Sequence, residues 1–252
     1  MIRVGVLGAA GRMGREVVRA VDGAEDLELV AAVDPHHAGS RVEGVPVVAD
    51  AQALHAGDVA VDFTRPDAVL ANARSCLERG VHAVIGTTGI GPGGLEQIRM
   101  LAEGGSANAI VASNFALGAA LLLRFAAEAA RHFDAVEVIE LHHEGKVDAP
   151  SGTAIAIAGR IAAARSGARP APGGDDGHPG ARGADVEGIR VHSVRLPGVL
   201  AHHEAIFGGP GQTLSIGHDT TDRTCYLPGV LLAVRAVATR PGLTIGLDAL
   251  LS

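Results

Sequence analysis

The fold is decided by the stretch Arg3-Val4-Gly5-Val6-Leu7-Gly8-Ala9-Ala10-Gly11-Arg12-Met13-Gly14. Its first five residues favour a β-strand, and an amphipathic helix is predicted from about Arg12 to Val21. Glycines spaced G-x-x-G-x-x-G between a strand and a helix are typical of a turn that admits a pyrophosphate at the helix N-terminus. The stretch therefore predicts a dinucleotide-binding unit in which Gly8, Ala9, Ala10, Gly11, Arg12 and Met13 hold the cofactor.

An acidic residue stands at the expected distance beyond this turn. The second predicted strand runs from Leu27 to Val33, and Asp34 follows it, where a carboxylate accepts the hydroxyls of the adenosine ribose. The negative charge favours NADH over NADPH, whereas nearby basic residues (Arg12, His36, His37 and Arg41) favour NADPH. We therefore expect NADH, NADPH or both. The alternative is that the glycines only connect strand to helix and that Asp34 is a solvated turn residue.

Further strands alternate with helices, one of them opened by Pro66, and this order predicts a parallel sheet. The strands are expected at 59–63, 81–85 and 109–112. Ligands in such sheets bind beyond the carboxyl ends of the strands. Two turns that follow strands are therefore expected to hold the nicotinamide end of the cofactor: Gly86, Thr87 and Thr88 in one, and Ala112, Ser113, Asn114 and Phe115 in the other. Either turn alone would be explained by ordinary turn chemistry.

The pattern changes after Phe115. It predicts a helix at 117–132, a strand at 136–141, a helix to about 165, an exposed mobile loop at 166–188, three successive antiparallel strands (189–195, 204–207, 213–217), a helix at 228–239 and a strand at 243–247. The fold class is therefore α/β, a Rossmann-type doubly wound parallel sheet plus a smaller α+β domain with an open mixed or antiparallel sheet. We expect residues 1–115 with 218–252 to bind the dinucleotide and residues 116–217 to bind the substrate.

Composition excludes several classes of partner. The 252 residues carry a formal charge of −7, which argues against nucleic acid. No apolar run approaches the ~20 residues of a membrane span. The sequence has no recognisable leader, and Cys76 and Cys225 have no metal-like spacing, so we expect a cytoplasmic protein with ordinary thiols.

The chemistry is expected in the loop Glu140-Leu141-His142-His143-Glu144-Gly145-Lys146-Val147-Asp148, directly before the helix opening Ala149-Pro150-Ser151-Gly152-Thr153-Ala154. A helix N-terminus attracts anions, so Ser151, Gly152 and Thr153 are candidates for binding a substrate carboxylate. Histidine and lysine suit proton transfer during the reduction of a C=C or C=N bond. The alternative is a helix-capping Ser151 beside surface histidines and a solvated Lys146.

A metal site is a further alternative, because His142, His143, His178, His202 and His203 are numerous. None of the histidine pairs has the H-x-x-x-H or H-x-E spacing on a helix that commonly binds zinc. We therefore predict no metal.

Several of these motifs together resemble bacterial 4-hydroxy-tetrahydrodipicolinate (dihydrodipicolinate) reductases. The central one is Glu140-Leu141-His142-His143-x-x-Lys146-x-Asp148-Ala149-Pro150-Ser151-Gly152-Thr153-Ala154. Further matches are Gly8 to Gly14, Val61-Asp62-Phe63-Thr64, Gly86-Thr87-Thr88-Gly89, Asn114-Phe115, Arg195-x-x-Gly198 and His218 to Leu232. The resemblance covers essentially the whole chain. One departure is Pro35 after Asp34, where some members carry arginine, and it leaves the cofactor preference open.

The resemblance implies an NAD(P)H-dependent reductase that forms tetrahydrodipicolinate on the diaminopimelate route to lysine. It implies that His142 is the general acid/base, that Lys146 is a proton donor, and that His143, Gly152 and Thr153 bind the carboxylates of a small dicarboxylate substrate. It also implies a homotetramer assembled through the sheets of the smaller domains. Two alternatives remain: another nicotinamide-dependent reductase, for instance of an amino-acid semialdehyde, and a nucleotide-sensing module with a lapsed active site.

Overall fold

The computed structural model describes residues 1–165 and 177–251, which form two compact units. The first contains Met1–Phe115 and the segment from Tyr226 onward, and the second contains Ala116–Cys225. The second boundary lies beyond the predicted residue 217, because the last strand of the second unit continues to Thr220. No helix of the described ranges is both long and apolar enough to cross a membrane.

The first unit is built on an eight-stranded sheet. Its strands are β1 (Ile2–Leu7), β2 (Leu27–Val33), β3 (Arg41–Val42), β4 (Val45–Val48), β5 (Val59–Asp62), β6 (His82–Ile85), β7 (Ala109–Val111) and β13 (Leu243–Ile245). The order is β13-β7-β6-β5-β1-β2-β4-β3, and every pair except β3 with β4 is parallel. Strands β2, β3 and β4 lie on one side of β1, and the later strands, beginning with β5, lie on the other side. The topological switch point therefore lies between β1 and β5.

Four helices belong to this unit: α1 (Arg12–Asp22), α2 (Val69–Glu78), α3 (Pro92–Gly104) and α6 (Leu227–Ala236). Helix α1 packs with α6, and α2 packs with α3. Buried aliphatic residues such as Val4, Val17 and Ile98 fill the space between helices and sheet, as the near absence of aromatic residues requires. The predicted doubly wound parallel fold is thereby confirmed.

The second unit has a five-stranded sheet with two helices on one face. Its elements are α4 (Leu117–Ala129), β8 (Ala135–His142), α5 (Gly152–Ala164), β9 (Ala184–Val186), β10 (Ile189–Arg195), β11 (Ala201–Gly209) and β12 (Gln212–Thr220). The order is β12-β11-β8-β10-β9. Val138, Ile157, Val191 and Phe207 belong to the core between α4, α5 and the sheet.

Four details differ from the prediction. Strand β10 does not form the predicted antiparallel pair with β11 but pairs in parallel with β8. A parallel pair needs a crossover connection, and the segment between β8 and β10 contains α5. Residues 184–186, expected in a loop, form β9, whereas residues 166–176 of that loop lie outside the described part of the chain. The β3–β4 hairpin was not predicted. Pro66 lies in a turn, and α2 begins only at Val69.

Candidate active site

Sheet register aligns the turns predicted to hold a cofactor. Leu7 lies opposite both Val33 and Asp62, and Ile85 lies between Asp62 and Val111. The segments that follow these strands therefore leave the sheet at one edge, its carboxyl edge. They begin at Gly8, Asp34, Phe63, Gly86 and Ala112. This is the edge at which doubly wound sheets bind their ligands.

The first turn is shaped so that only glycine fits at two positions. Gly8 has a φ of +77°, and a Cβ atom there would lie 2.6 Å from the carbonyl oxygen of Phe63. A Cβ atom at Gly14 would lie 2.0 Å from the carbonyl oxygen of Gly8. The N-cap residue of α1 is Gly11, whose lack of a side chain leaves the first N–H groups of the helix without a side-chain cap. Such a helix start is suited to a phosphate anion.

Asp34 is largely buried directly after β2 and is the N-cap residue of a short 3-10 helix, Pro35–His37. Its Oδ1 atom accepts the backbone N–H of His36 at 3.1 Å and lies 3.1 Å from Nδ1 of His37. The carboxylate is therefore held in one orientation at the carboxyl edge. That orientation is compatible both with a capping role and with acceptance of ribose hydroxyls.

The hydroxyl of Thr87 donates to Oδ1 of Asp62, the last residue of β5, at 2.7 Å. Asp62 also accepts the N–H and hydroxyl of Thr64, and the side-chain amide of Asn72. The hydroxyl of Thr87 therefore links the ends of β5 and β6, and the role of this turn in holding the nicotinamide end stays a prediction. The exposed Thr88 and Ser113 and the backbone of both turns remain at the edge.

In the second unit, the alternation of β8 buries Val136, Val138, Glu140 and His142 on the face covered by helices. The side chain of Glu140 is fully buried. Both of its carboxylate oxygens accept from Arg195, at 2.9 and 3.0 Å, and Oε1 also accepts the backbone N–H of Ser151 at 3.2 Å. Burial raises the pKa of Glu140, but hydrogen bonds from Arg195, Ser193 and His142 bring it below its usual value. Glu140 is thus a buried carboxylate that stays ionised.

Nδ1 of His142 is hydrogen-bonded to Oε2 of Glu140. An ionised carboxylate only accepts, so Nδ1 carries the proton and Nε2 is the atom that can exchange one. Burial lowers the pKa of His142, although Glu140 acts in the opposite direction. The imidazole is therefore mainly neutral at pH 7 in the free protein.

The loop after β8 carries Lys146, whose Nζ lies 2.8 Å from Oδ1 of Asp148 and whose N–H donates to the carbonyl of His143. The hydrogen bond from Lys146 lowers the pKa of Asp148. His143 is exposed, and Lys146 is half-buried. The loop thus holds an ammonium group a few residues from the imidazole of His142.

Ser151 is the N-cap of α5, and its Oγ accepts the N–H of Ala154 at 3.2 Å. The same oxygen lies 3.1 Å from Nε2 of His203, whose buried ring stands edge-on to that of His142 with centroids 5.1 Å apart. Burial lowers the pKa of His203 to about 3, so this ring is neutral. Gly152 is exposed beside them. Ser151 therefore caps α5, as the alternative interpretation of the sequence expected, and the cap lies where the anion site was predicted.

Three residues of this cluster received no role from sequence reasoning: Glu140, Arg195 and His203. A glutamate on the buried face of a strand was a usable signal for Glu140, since period-2 alternation puts it beside His142. Arg195 and His203 lie 55 and 63 positions from Glu140, and only the strand pairing brings them together. In the described ranges no group of three His, Cys, Asp or Glu side chains could hold a metal ion.

Known proteins are similar to this chain over both of its units. The family models described as dihydrodipicolinate reductase, N-terminus and C-terminus, match residues 2–115 and 118–251. The 4-hydroxy-tetrahydrodipicolinate reductase of Nocardia farcinica is 51% identical over 251 residues, 98% of this chain and 97% of the relative. Its namesake from Mycolicibacterium vanbaalenii is 49% identical and 99% of each chain is covered. The dipicolinate-bound dihydrodipicolinate reductase structure from Paenisporosarcina sp. TG-14 is 40% identical, with a TM-score of 0.86 and 99% of each chain covered.

Proposed function

The chain belongs to the dihydrodipicolinate reductase family, and we propose that its reaction takes place where His142 and Lys146 meet the N-terminus of α5. The protein is an NAD(P)H-dependent oxidoreductase that reduces 4-hydroxy-tetrahydrodipicolinate in lysine and diaminopimelate biosynthesis. The observation that supports the site assignment is the hydrogen bond from Nδ1 of His142 to the buried carboxylate of Glu140, which also accepts the N–H of Ser151 at the start of α5, because it leaves Nε2 of His142 as the atom that can exchange a proton.

The carboxyl edge of the first sheet fits a dinucleotide. The positions of Gly8 and Gly14 have no room for a side chain, and the start of α1 has no side-chain cap. Gly8 to Met13 would hold the pyrophosphate, Asp34 the ribose, and the turns at 86–88 and 112–115 the nicotinamide end. When bound, NAD(P)H supplies the hydride.

The substrate carboxylates would bind at the N-terminus of α5. Gly152 and Thr153 lie in the first turn of α5, which Ser151 caps, and the exposed His143 lies in the loop between β8 and this helix. The partial positive charge of the helix end favours a dianion. A small dicarboxylate is the class of ligand that the relative from Paenisporosarcina carries, since its structure is described as bound to dipicolinate.

Reduction of the unsaturated ring also requires a proton. His142 presents Nε2 as acid/base atom, while Nδ1 remains bonded to Glu140. Because the lowered pKa leaves this imidazole mainly neutral, the ammonium of Lys146 is suited to supply positive charge and a proton beside it. His142 thereby acts as the acid/base, and Lys146 stabilises developing negative charge and donates a proton.

A coupled assay tests the reaction, the substrate and the cofactor together. The purified protein is given the condensation product of aspartate semialdehyde and pyruvate, and oxidation of NADH and of NADPH is followed separately. We expect oxidation only with the condensation product. Oxidation with aspartate semialdehyde alone would indicate a different reductase, and no oxidation in any mixture would indicate a binding module.

Asp34→Ala is expected to weaken NADH binding more than NADPH binding. The substitution removes an acceptor for the ribose hydroxyls in both cases, but for NADPH it also removes a charge that repels the 2′-phosphate. Calorimetric titration of each cofactor measures the ratio of the two dissociation constants. Asp50→Ala is a matched control, because Asp50 likewise accepts the backbone N–H two residues ahead after a strand. An unchanged ratio in Asp34→Ala would show that Asp34 serves only as a cap.

We also propose that the protein is a cytoplasmic homotetramer assembled through the open face of the second sheet. This face carries Ile139, Val194 and Ile206 among charged residues, and Val194 is 38% exposed. Both cysteines are free thiols, in keeping with a reducing compartment. Light scattering on the purified protein should give four times the chain mass, and Ile206→Glu should reduce it. A monomeric mass for the unaltered protein would contradict the assembly.

A further inference from the structure

Arg195 uses its whole guanidinium group at the site, although it is not among the residues to which the proposed function gives a role. Its Nη1 donates to Oε2 of Glu140 at 3.0 Å and to the carbonyl of Val194 at 2.7 Å. Its Nη2 donates to Oε1 of Glu140 at 2.9 Å and to the carbonyl of Asp148 at 2.5 Å. Its Nε donates to the carbonyl of Lys146 at 3.3 Å. All N–H donors that an arginine possesses are thus engaged.

These hydrogen bonds connect Arg195 to the surroundings of His142 and Lys146, the two residues proposed to transfer protons. The paired bonds to Glu140 hold the carboxylate that bonds Nδ1 of His142. The bonds to the carbonyl groups of Lys146 and Asp148 hold the backbone of the ion pair that these two residues form. Arg195 is also the parallel-strand partner of His142, and the next residue donates its N–H to the carbonyl of His142.

We propose that Arg195 is a positioning residue that sets both proton-transferring groups, holding His142 through Glu140 and Lys146 through the loop backbone. This inference rests on the proposed function in the roles of His142 and Lys146. The five bonds need a planar fork that reaches a carboxylate on one edge and carbonyl groups on the others. Lysine has the same charge but only three donors around one nitrogen, so it cannot replace arginine here.

The inference predicts an effect on the imidazole of His142 that can be measured without substrate. In the unaltered protein, nitrogen NMR of the labelled histidine should report one neutral tautomer, with the proton on Nδ1. In Arg195→Met the carboxylate of Glu140 loses its paired donors, and we expect a mixture of tautomers. Arg195→Lys should also give a mixture. A single Nδ1–H tautomer in both variants would overturn the proposal.

The direction of the His142 titration provides a second readout. The groups that influence His142 are Glu140, Lys146 and Arg195, and His203 faces it from β11. Glu140 raises the pKa of His142 and Arg195 lowers it. Replacing Glu140 by glutamine should therefore shift the titration of His142 to lower pH. Arg195→Met should shift it as well, because this substitution removes the charge of Arg195 and releases the carboxylate of Glu140. An unaltered titration of His142 in Arg195→Met would contradict the arrangement.

Kinetics separate positioning from folding. Arg195→Met and Arg195→Lys should each lower kcat by about 10²-fold, because misplaced groups lose orientation, and should leave the dissociation constant of NADH unchanged. In His142→Gln, Arg195→Met should still lower kcat further, through Lys146. Arg131→Met is the matched control, since Arg131 pairs with Glu128 on the exposed surface of the same unit.

A purely structural role would give a different result: a lower unfolding temperature with an unaltered tautomer and titration. If Arg195→Met does not fold, Arg195→Lys and Glu140→Gln carry the same readouts. Failure of the proposed function is recognised separately, because the unaltered protein would then not oxidise NADH with the condensation product, whereas the tautomer measurement does not require turnover.

Discussion

His142→Gln is expected to lower kcat by about 10²-fold or more while leaving the affinity for NADH nearly unchanged. Glutamine retains a hydrogen-bonding side chain of similar reach, but it cannot take up and release a proton at neutral pH. The loss corresponds to about 2.7 kcal/mol of transition-state stabilisation. The proposed cofactor residues lie in the first unit and His142 lies in the second, so cofactor binding should not respond.

Steady-state oxidation of NADH gives kcat, and calorimetric titration gives the dissociation constant. His132→Gln is the control: His132 lies 3.5 Å from Glu128 in an exposed histidine–glutamate pair of the same unit. Both variants should unfold at the temperature of the unaltered protein. Unaltered turnover in His142→Gln would remove His142 from the acid/base role and leave Lys146 as the remaining candidate.

The larger sheet could be predicted well from the sequence because its strands and helices follow one another as local βα units. Strands β1, β2, β5 and β6 are apolar runs followed by a segment that contains glycine or threonine, and β7 is an apolar run followed by a segment that contains Ser113 and Asn114. The hairpin was missed because β3 has only two residues and β4 contains Pro46, which is rarely compatible with a central strand. Short edge strands carry little periodic signal.

The second sheet was predicted less accurately, because its order depends on contacts that are distant in the sequence. Four of its strands were predicted and β9 was not, and the parallel pairing of β8 with β10 is set by the crossover through α5. This pairing puts Arg195 beside Glu140 and thereby completes the candidate site. A sequence pattern gives the face on which Glu140 lies but not which cation neutralises it.

Thr87 shows a different limit of sequence reasoning. The sequence pattern puts Thr87 in a turn at the carboxyl edge, but it does not show that the hydroxyl of this residue donates to the buried carboxylate of Asp62. The buried carboxylate favours several donors, because a buried charge with few hydrogen bonds is costly, and Thr87 adds one to those from Thr64 and Asn72. Motifs thus locate a turn more reliably than they orient each side chain within it.

Gly14→Ala is expected to raise the dissociation constants of NADH and NADPH by about 10-fold or more and to lower the free energy of unfolding by about 1–3 kcal/mol. The added Cβ atom would lie 2.0 Å from the carbonyl oxygen of Gly8 and 2.8 Å from Cα of Ala9. These are backbone atoms, so the turn itself must move away from α1. The N–H groups that are proposed to receive the pyrophosphate would then no longer converge.

Cofactor titrations and chemical denaturation measure the two effects separately. Gly93→Ala is a matched control, because Gly93 lies in the first turn of α3 in the same unit and, apart from its chain neighbours and its own helix backbone, no described atom lies within 4 Å of the Cβ position. Alanine there should leave cofactor binding unaltered and increase stability slightly, since it favours the helix. If Gly14→Ala lowered stability but bound both cofactors normally, Gly14 would serve only to pack α1 against β1. The pyrophosphate would then have to bind elsewhere along the carboxyl edge.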